Sequence, residues 1–488
     1  MISQKIMGRR LFCSLRPIRL YYVVLFLLPI LLLGISLRFS KQGQDQQITG
    51  SVNQHEEPLM SIRDARGEES NQHDQRPQVP VRNTWNEDGS CWFSTLAERH
   101  INCKRLFIND KPYISKIAST KVFASAKTCS LDFLVKDCSR LKEFHGYTAW
   151  PITQEEKDFP IAFSIKMHKA VEQAEQLLRT IWRPQNVYCI HVDKKAKPGI
   201  FETIKNIGSC FDNVYVLEER LDVMYTSIDM MQTDLMCMKK LLEVNSEWKY
   251  YINLSGQEFV LKTNLEIVKI LKILKGANDI ESYIFPLKDY KRFKFVHERS
   301  PERGFLLGTN KAKSPIPDRF SAKTNTIRKG SMYGCFTRGF VNFTLNSKIA
   351  KELINWAADV YAPEELIWPS LSSLPEAPGN FLQRSYRFVE QRRNNFISKA
   401  VTWTWTKNHQ CVGRYVRSVC IYSIHELSWL LIQPNIAANK FDEEFDQVVI
   451  DCLEESLYNR TFSQNLDNFN WYFYYHVPHV DGRHSRAT

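Results

Sequence analysis

Asp-x-Asp occurs nowhere in the 488 residues, so the chain lacks the paired aspartates that commonly share a divalent cation. The chain also lacks a Cys-x-x-Cys pair and any Cys/His cluster at zinc-ligand spacing, which argues against a zinc site. RRM, KH and zinc-finger patterns are missing as well, and the basic residues are spread out rather than clustered. The formal net charge of +12 therefore gives little reason to expect a nucleic-acid partner, although a basic surface suits anionic ligands. No internal repeats are found. Residues 38 to 90 have little apolar periodicity and are rich in Gln, Glu, Asp, Asn, Ser and Arg. Such a segment cannot bury enough surface to offset its ordering entropy, and residues 38–100 are read as a flexible stem.

What the chain does have begins with a membrane signal. Arg9, Arg10, Arg16 and Arg19 precede an uncharged run from Leu20 to Leu37, and Arg38 and Lys41 follow it. That length is near the lower limit for crossing a bilayer. A cleaved signal peptide is the rival, but Ile35-Ser36-Leu37 is a poor small-x-small cleavage site. The expectation is a cytoplasmic tail over 1–19, an uncleaved signal-anchor over 20–37 and a luminal remainder, the positive charge lying before the span. Of twelve cysteines, only Cys13 falls on the cytosolic side, and the scattered luminal ones read as disulfides. In the lumen the sequons at Asn342 and Asn459 are expected to carry glycans. A third at Asn253 ends an apparent buried strand and is expected to stay unmodified.

From about residue 160, short apolar runs alternate with helical patterns. Strands are expected over 161–167, 187–193, 214–216 and 250–254, and helices over 170–182, 227–244 and 265–274. This alternation predicts an α/β fold with a mostly parallel sheet and helices on both faces. One domain, over 101–488, would carry it. The run Val187-Tyr188-Cys189-Ile190-His191-Val192-Asp193 is the most informative. A carboxylate at the carboxyl end of such a strand lies where open α/β sheets bind nucleotides and sugars. An ordinary turn aspartate fits the same residues equally well.

A type II, disulfide-bonded α/β domain after a stem is the layout of a Golgi glycosyltransferase. Blocks reading FPIAFSIKMHK, LLRTIWRPQNVYCIHVDKKA, DLMCMKKL, WKYYINLSGQEFVLKTNLEIV, YAPEELIWPSL, YVRSVCIYSIHELSWLL and ANKFD follow one another at compatible spacing. Over residues 100 to 455 the chain thereby resembles the β-1,6-N-acetylglucosaminyltransferases that branch O-glycans and poly-N-acetyllactosamine. The resemblance implies a GT-A-like variant with a Rossmann-like sheet, a UDP-GlcNAc donor, a glycoprotein O-glycan acceptor and no metal or other cofactor. It leaves monomer and homodimer both open.

An inverting transferase needs a base to take the proton of the attacking hydroxyl. Glu364 and Glu365 are equal candidates as residues; the resemblance selects Glu365. Arg417 and Lys440 match positions that take over the metal's role at the departing diphosphate, Arg as a fork and Lys as a point charge. Asp193 and Tyr225 match nucleotide-lining positions, with His168 nearby. For the acceptor, Glu281, Arg292 and the aromatic pair Trp403 and Trp405 are expected, the pair reading equally as core aromatics. Asp289 stands where the resemblance expects a lysine, and Lys288 or Lys291 is the expected replacement; the segment 406–410 is also short. The implied disulfides are Cys103–Cys452, Cys138–Cys210, Cys189–Cys237 and Cys411–Cys420. Ser255 replaces the family's unpaired cysteine, and Cys91, Cys129 and Cys335 are left unassigned.

The leading expectation is metal-independent, inverting β-1,6 transfer of N-acetylglucosamine to galactose or N-acetylgalactosamine. A UDP-xylose-dependent xylosyltransferase and a non-catalytic glycan-binding descendant are the rivals.

Overall fold

The computed structural model describes residues 96, 99–120, 131–320, 326–380, 396–407, 409–464, 466 and 469–477. The tail, anchor and nearly all of the stem expected from sequence lie outside these residues, as do Cys91 and Cys129. Among the described residues no helix is long and apolar enough to cross a membrane.

The central sheet has six strands. They are β1 (Ile161–Met167), β2 (Val187–Val192), β3 (Val214–Val216), β4 (Tyr250–Ser255), β6 (Asp279–Ile280) and β11 (Gly334–Thr337), in the order β3-β2-β1-β4-β11-β6. The first four are mutually parallel, and β11 runs antiparallel to both β4 and β6. The fold is therefore mixed α/β with a mostly parallel centre, as the alternation implied.

Side-chain alternation explains why both faces are covered. On β1, Ile161, Phe163, Ile165 and Met167 enter one core while Ala162 enters the other. On β2, Tyr188, Ile190 and Val192 face the first core, and Val187 and Cys189 face the second. The first core is filled by helices α1 (Val171–Ile181), α2 (Ile200–Ser209) and α4 (Asn264–Ile273), the second by α3 (Asp229–Val244) and α5 (Glu364–Ser372). Boundaries moved by a residue or two where capping decides. Helix α4 begins after Thr263, whose hydroxyl and Glu266 close a capping box, which fixes the helix start.

A smaller sheet of β5 (Glu258–Val260), β12 (Lys399–Val401) and β15 (Ala437–Asn439) has the order β12-β15-β5. Beside it lies a hairpin of β13 (Arg414–Val416) and β14 (Val419–Ile421), and a separate antiparallel pair joins β8 (Phe295–Ser300) to β9 (Phe305–Ala312). Four disulfides join Cys103 to Cys452, Cys138 to Cys210, Cys189 to Cys237 and Cys411 to Cys420. The third pins α3 to the sheet across 48 residues, a loop whose closure removes about 4 kcal/mol of unfolded-chain entropy in the simple chain model. Cys335, on β11, is a buried free thiol.

Candidate active site

His168 follows β1 and Asp193 follows β2, so both stand at the carboxyl end of the parallel strands. Asp193 accepts a hydrogen bond at Oδ1 from the Lys195 amide, 2.8 Å away, and its own amide donates to the Met167 carbonyl. The turn role considered for it from sequence is thus present. His168 lies within electrostatic reach of Asp193, Lys169, Lys440 and Arg417. Burial holds its imidazole below the ordinary range; the three cations reinforce this and Asp193 opposes it.

Lys440 follows β15. Burial depresses its ammonium, and the like charges of Arg417 and Lys169 depress it further. Lys169 Nζ and Arg414 Nη2 both reach Asp442 Oδ2 at 3.1 Å. Lys169 and Arg414 thus pair with the buried carboxylate of Asp442, and Arg417 joins both of them within electrostatic reach of Lys440. The surplus of positive charge attracts a polyanion. Sequence reasoning found two of these four; Lys169, directly after His168 in its block, was there to be noticed.

Arg417 reaches the cluster from the tip of the β13–β14 hairpin. Arg417 and Ser418 form its two-residue turn with φ of +51° and +65°. Positive φ at both central positions matches the right-handed twist of the flanking strands. The Arg417 guanidinium carbon stands 4.7 Å from the centroid of the Tyr225 ring, within cation–π range.

Tyr225 in turn leads to the two glutamates of α5. The amide of Ala362, just before that helix, donates to the Thr226 carbonyl at 2.8 Å. Burial raises the Tyr225 hydroxyl, which also feels Arg417, Glu365 and Glu364. Glu364 and Glu365 occupy the first turn of α5, where the helix dipole favours carboxylates.

Their surroundings differ sharply. Glu364 is buried, its Oε2 has no hydrogen-bond partner among the described residues, and burial followed by the charge of Glu365 pushes its carboxyl up to about 8. Glu365 is 30% exposed; its Oε2 lies 2.5 Å from Arg292 Nη1 and 3.3 Å from Lys329 Nζ. Of the pair, Glu365 is the one open to a substrate.

Arg292 contacts Glu365, and Glu281 lies within electrostatic reach of it. Glu281 follows β6, and burial pushes its carboxyl up to about 7, with Lys329 opposing and Glu365 adding. Burial disfavours the Arg292 charge, but the Glu365 carboxylate outweighs it and holds the guanidinium above its usual value. Asp289 adds to this effect. A lysine not foreseen from sequence, Lys329, also reaches Glu365. It lies in a short Arg-Lys-Gly segment that gave no periodic or motif signal.

Trp403 and Trp405 stack with centroids 5.0 Å apart and planes 10° from parallel. Trp405 is 65% exposed, so the pair is a surface platform rather than part of a core strand. Trp403 bridges to Val419 of the hairpin that carries Arg417. The smaller sheet carries a network absent from the sequence reading. Fully buried Lys399 and Glu258 pair at 3.0 Å. Asn439 Nδ2, next to Lys440, donates to Glu258 Oε1 at 2.9 Å and to the Tyr333 hydroxyl at 2.7 Å.

The two sequons expected to be used stand at exposed positions, Asn342 on the helix Arg338–Asn346 and Asn459 on α6 (Gln447–Ser463). Asn253 is fully buried.

Residues 161–431 match the family model described as Core-2/I-Branching enzyme. A protein of Bos taurus named beta-1,3-galactosyl-O-glycosyl-glycoprotein beta-1,6-N-acetylglucosaminyltransferase is 34% identical over 75% of this chain and 86% of its own. A Homo sapiens protein of the same name is 34% identical over 73% and 85% of the two chains. A Danio rerio relative, named as number 4 of that activity, is 36% identical over 68% and 77%. The chain belongs to the Core-2/I-branching enzyme family and is a glycosyltransferase.

Proposed function

We propose that the protein is an inverting β-1,6-N-acetylglucosaminyltransferase of GT-A-like fold that uses UDP-GlcNAc and needs no metal. Glu365 takes the proton of the 6-hydroxyl of an acceptor galactose or N-acetylgalactosamine as that oxygen attacks the anomeric carbon. The bond from that carbon to the diphosphate breaks, and its electron pair leaves with UDP. Arg417 and Lys440 meet the charge that develops there, with Lys169 and Arg414 adding to the field. His168, Asp193 and Tyr225 line the donor side. Glu281, Arg292, Trp403 and Trp405 orient the acceptor, the exposed tryptophan faces suiting the apolar face of a sugar ring. The protein would act in the Golgi lumen, held by the anchor over 20–37.

The observation that carries this reading is the continuity from Lys440 through Arg417 and Tyr225 to Glu365. Arg417 stands against the Tyr225 ring, and Lys440 and Glu365 lie within electrostatic reach of these two, which supports a cationic group and an accessible carboxylate sharing one site. The names of the relatives supply the sugar and the linkage. An acceptor array with UDP-GlcNAc and UDP-xylose in parallel tests it. Branching of galactose- or N-acetylgalactosamine-terminated glycans from UDP-GlcNAc alone is expected; transfer from UDP-xylose, or none from either donor, would overturn it.

A further inference from the structure

We propose that Lys329 is a positioning residue for Glu365, aiming one of its carboxylate oxygens at the acceptor; this rests on the reading of Glu365 as the base. At 30% exposure the Glu365 side chain has room to rotate, and a base must be held where the proton will be. Lys329 Nζ lies 3.3 Å from Glu365 Oε2, the oxygen that Arg292 also takes. Among the described residues nothing donates to Oε1. The two cations therefore fix the carboxylate by one oxygen and leave the other to receive the acceptor proton.

Lys329 is itself held firmly. It lies on the two-residue strand β10 (Arg328–Lys329), which pairs with β7 (Tyr283–Ile284) so that Lys329 stands opposite Tyr283. Its Nζ donates to the Tyr283 hydroxyl at 3.2 Å, and only 14% of its side chain is exposed. On one side the Arg328 guanidinium donates to Ser282 Oγ at 2.6 Å. On the other, the Arg328 amide donates to Ser370 Oγ of α5 at 2.9 Å, and the Gly330 amide donates to the Glu365 carbonyl at 2.8 Å. A Cβ on Gly330 would fall 1.7 Å from the Glu281 carbonyl oxygen, so only glycine lets the strand lie this close. Lys329 is thus clamped between the segment bearing Glu281 and the helix bearing Glu365. Arg292, by contrast, comes from the short helix Lys291–Lys294 and is read as an acceptor ligand, so Lys329 is the partner of Glu365 to which no acceptor contact is assigned.

The test compares wild type, Lys329→Met, Lys329→Arg and Glu365→Gln with UDP-GlcNAc and a branched-glycan precursor. Lys329→Met is expected to lower kcat about tenfold to a hundredfold while acceptor KM moves less than about threefold. Its UDP affinity should match wild type, which also shows that it folds. Lys329→Arg, which keeps a cation, is expected to recover most of kcat. Should Lys329→Met fail to bind UDP, Lys329→Gln is read in its place by the same criteria. Wild-type kcat in the neutral variant overturns the proposal, as does a raised acceptor KM with kcat retained, or Arg failing to rescue. If Glu365→Gln keeps full turnover, the base assignment itself has failed. A dead Glu365→Gln beside a fully active Lys329→Met sinks only the role of Lys329.

Discussion

Arg417 lies over the ring of Tyr225, its guanidinium carbon 4.7 Å from the centroid, although 192 residues separate them in the numbering (417 − 225). The contact joins a C-terminal hairpin to a loop that follows β3. Through it the cationic cluster and the carboxylates of α5 belong to one site. Removing Arg417 should therefore damage the donor half most. Arg417→Ala is expected to reduce kcat about a hundredfold or more, the scale for deleting a charge-stabilising donor. Arg417→Lys should recover only part of it, because a point charge cannot fork onto a phosphate. Steady-state kinetics at saturating acceptor provide the check, and full rescue by Lys would contradict it.

With Lys440 drawing Arg417, Lys169 and Arg414 into one cationic cluster and no Asp-x-Asp in the chain, turnover should persist in excess EDTA. Chelation is expected to leave the initial rate within about twofold of the untreated enzyme, because fixed cations supply the charge that a metal would otherwise contribute. Loss of activity on chelation, restored by a divalent cation, would remove the metal-free part of the mechanism.

Trp405 presents an exposed ring stacked on Trp403. Trp405→Ala should raise acceptor KM about twofold to tenfold, the usual scale for one aromatic contact, with donor KM unchanged. Thermal stability should hardly move, since little of the ring is buried. A collapse in stability would mean that the pair acts as core after all.

Glu364 offers a pH test independent of catalysis. Its carboxyl is pushed up to about 8 by burial and by Glu365, so the folded state holds a proton that the unfolded chain releases near pH 4.5. A raised carboxyl costs stability as pH climbs from the unfolded value through the folded one. Glu364→Gln, neutral throughout, should thus gain stability relative to wild type between about pH 4.5 and 8. Paired melting curves at several pH values measure the difference directly, which cancels the opposing titration of His191, held down to about 4. A constant difference, or one that shrinks as pH rises, would contradict the assignment.

The parallel core was legible because short continuous apolar runs alternating with period-3.6 helices leave strong local patterns. Strands β1 to β4 and helix α1 fell within a residue or so of expectation. The disulfide pairs were legible only through resemblance, since spacing alone does not choose among cysteines. Lys329, Lys169 and the Glu258–Lys399 pair were missed for a different reason. Each owes its role to side chains from distant segments, and a single lysine in a short loop-like stretch carries no period. Trp405 was ambiguous because an aromatic residue reads equally as core or platform until its exposure is known.

The most direct measurement is turnover by Glu365→Gln alongside its affinity for UDP. Glutamine keeps the size of the side chain but is not a base, so transfer of N-acetylglucosamine should fall by about a thousandfold or more. UDP binding by calorimetry should stay within about threefold of wild type, because the proposed mechanism assigns the diphosphate to Arg417 and Lys440. Wild-type turnover in Glu365→Gln, with UDP bound normally, would contradict the assignment of Glu365 as the base.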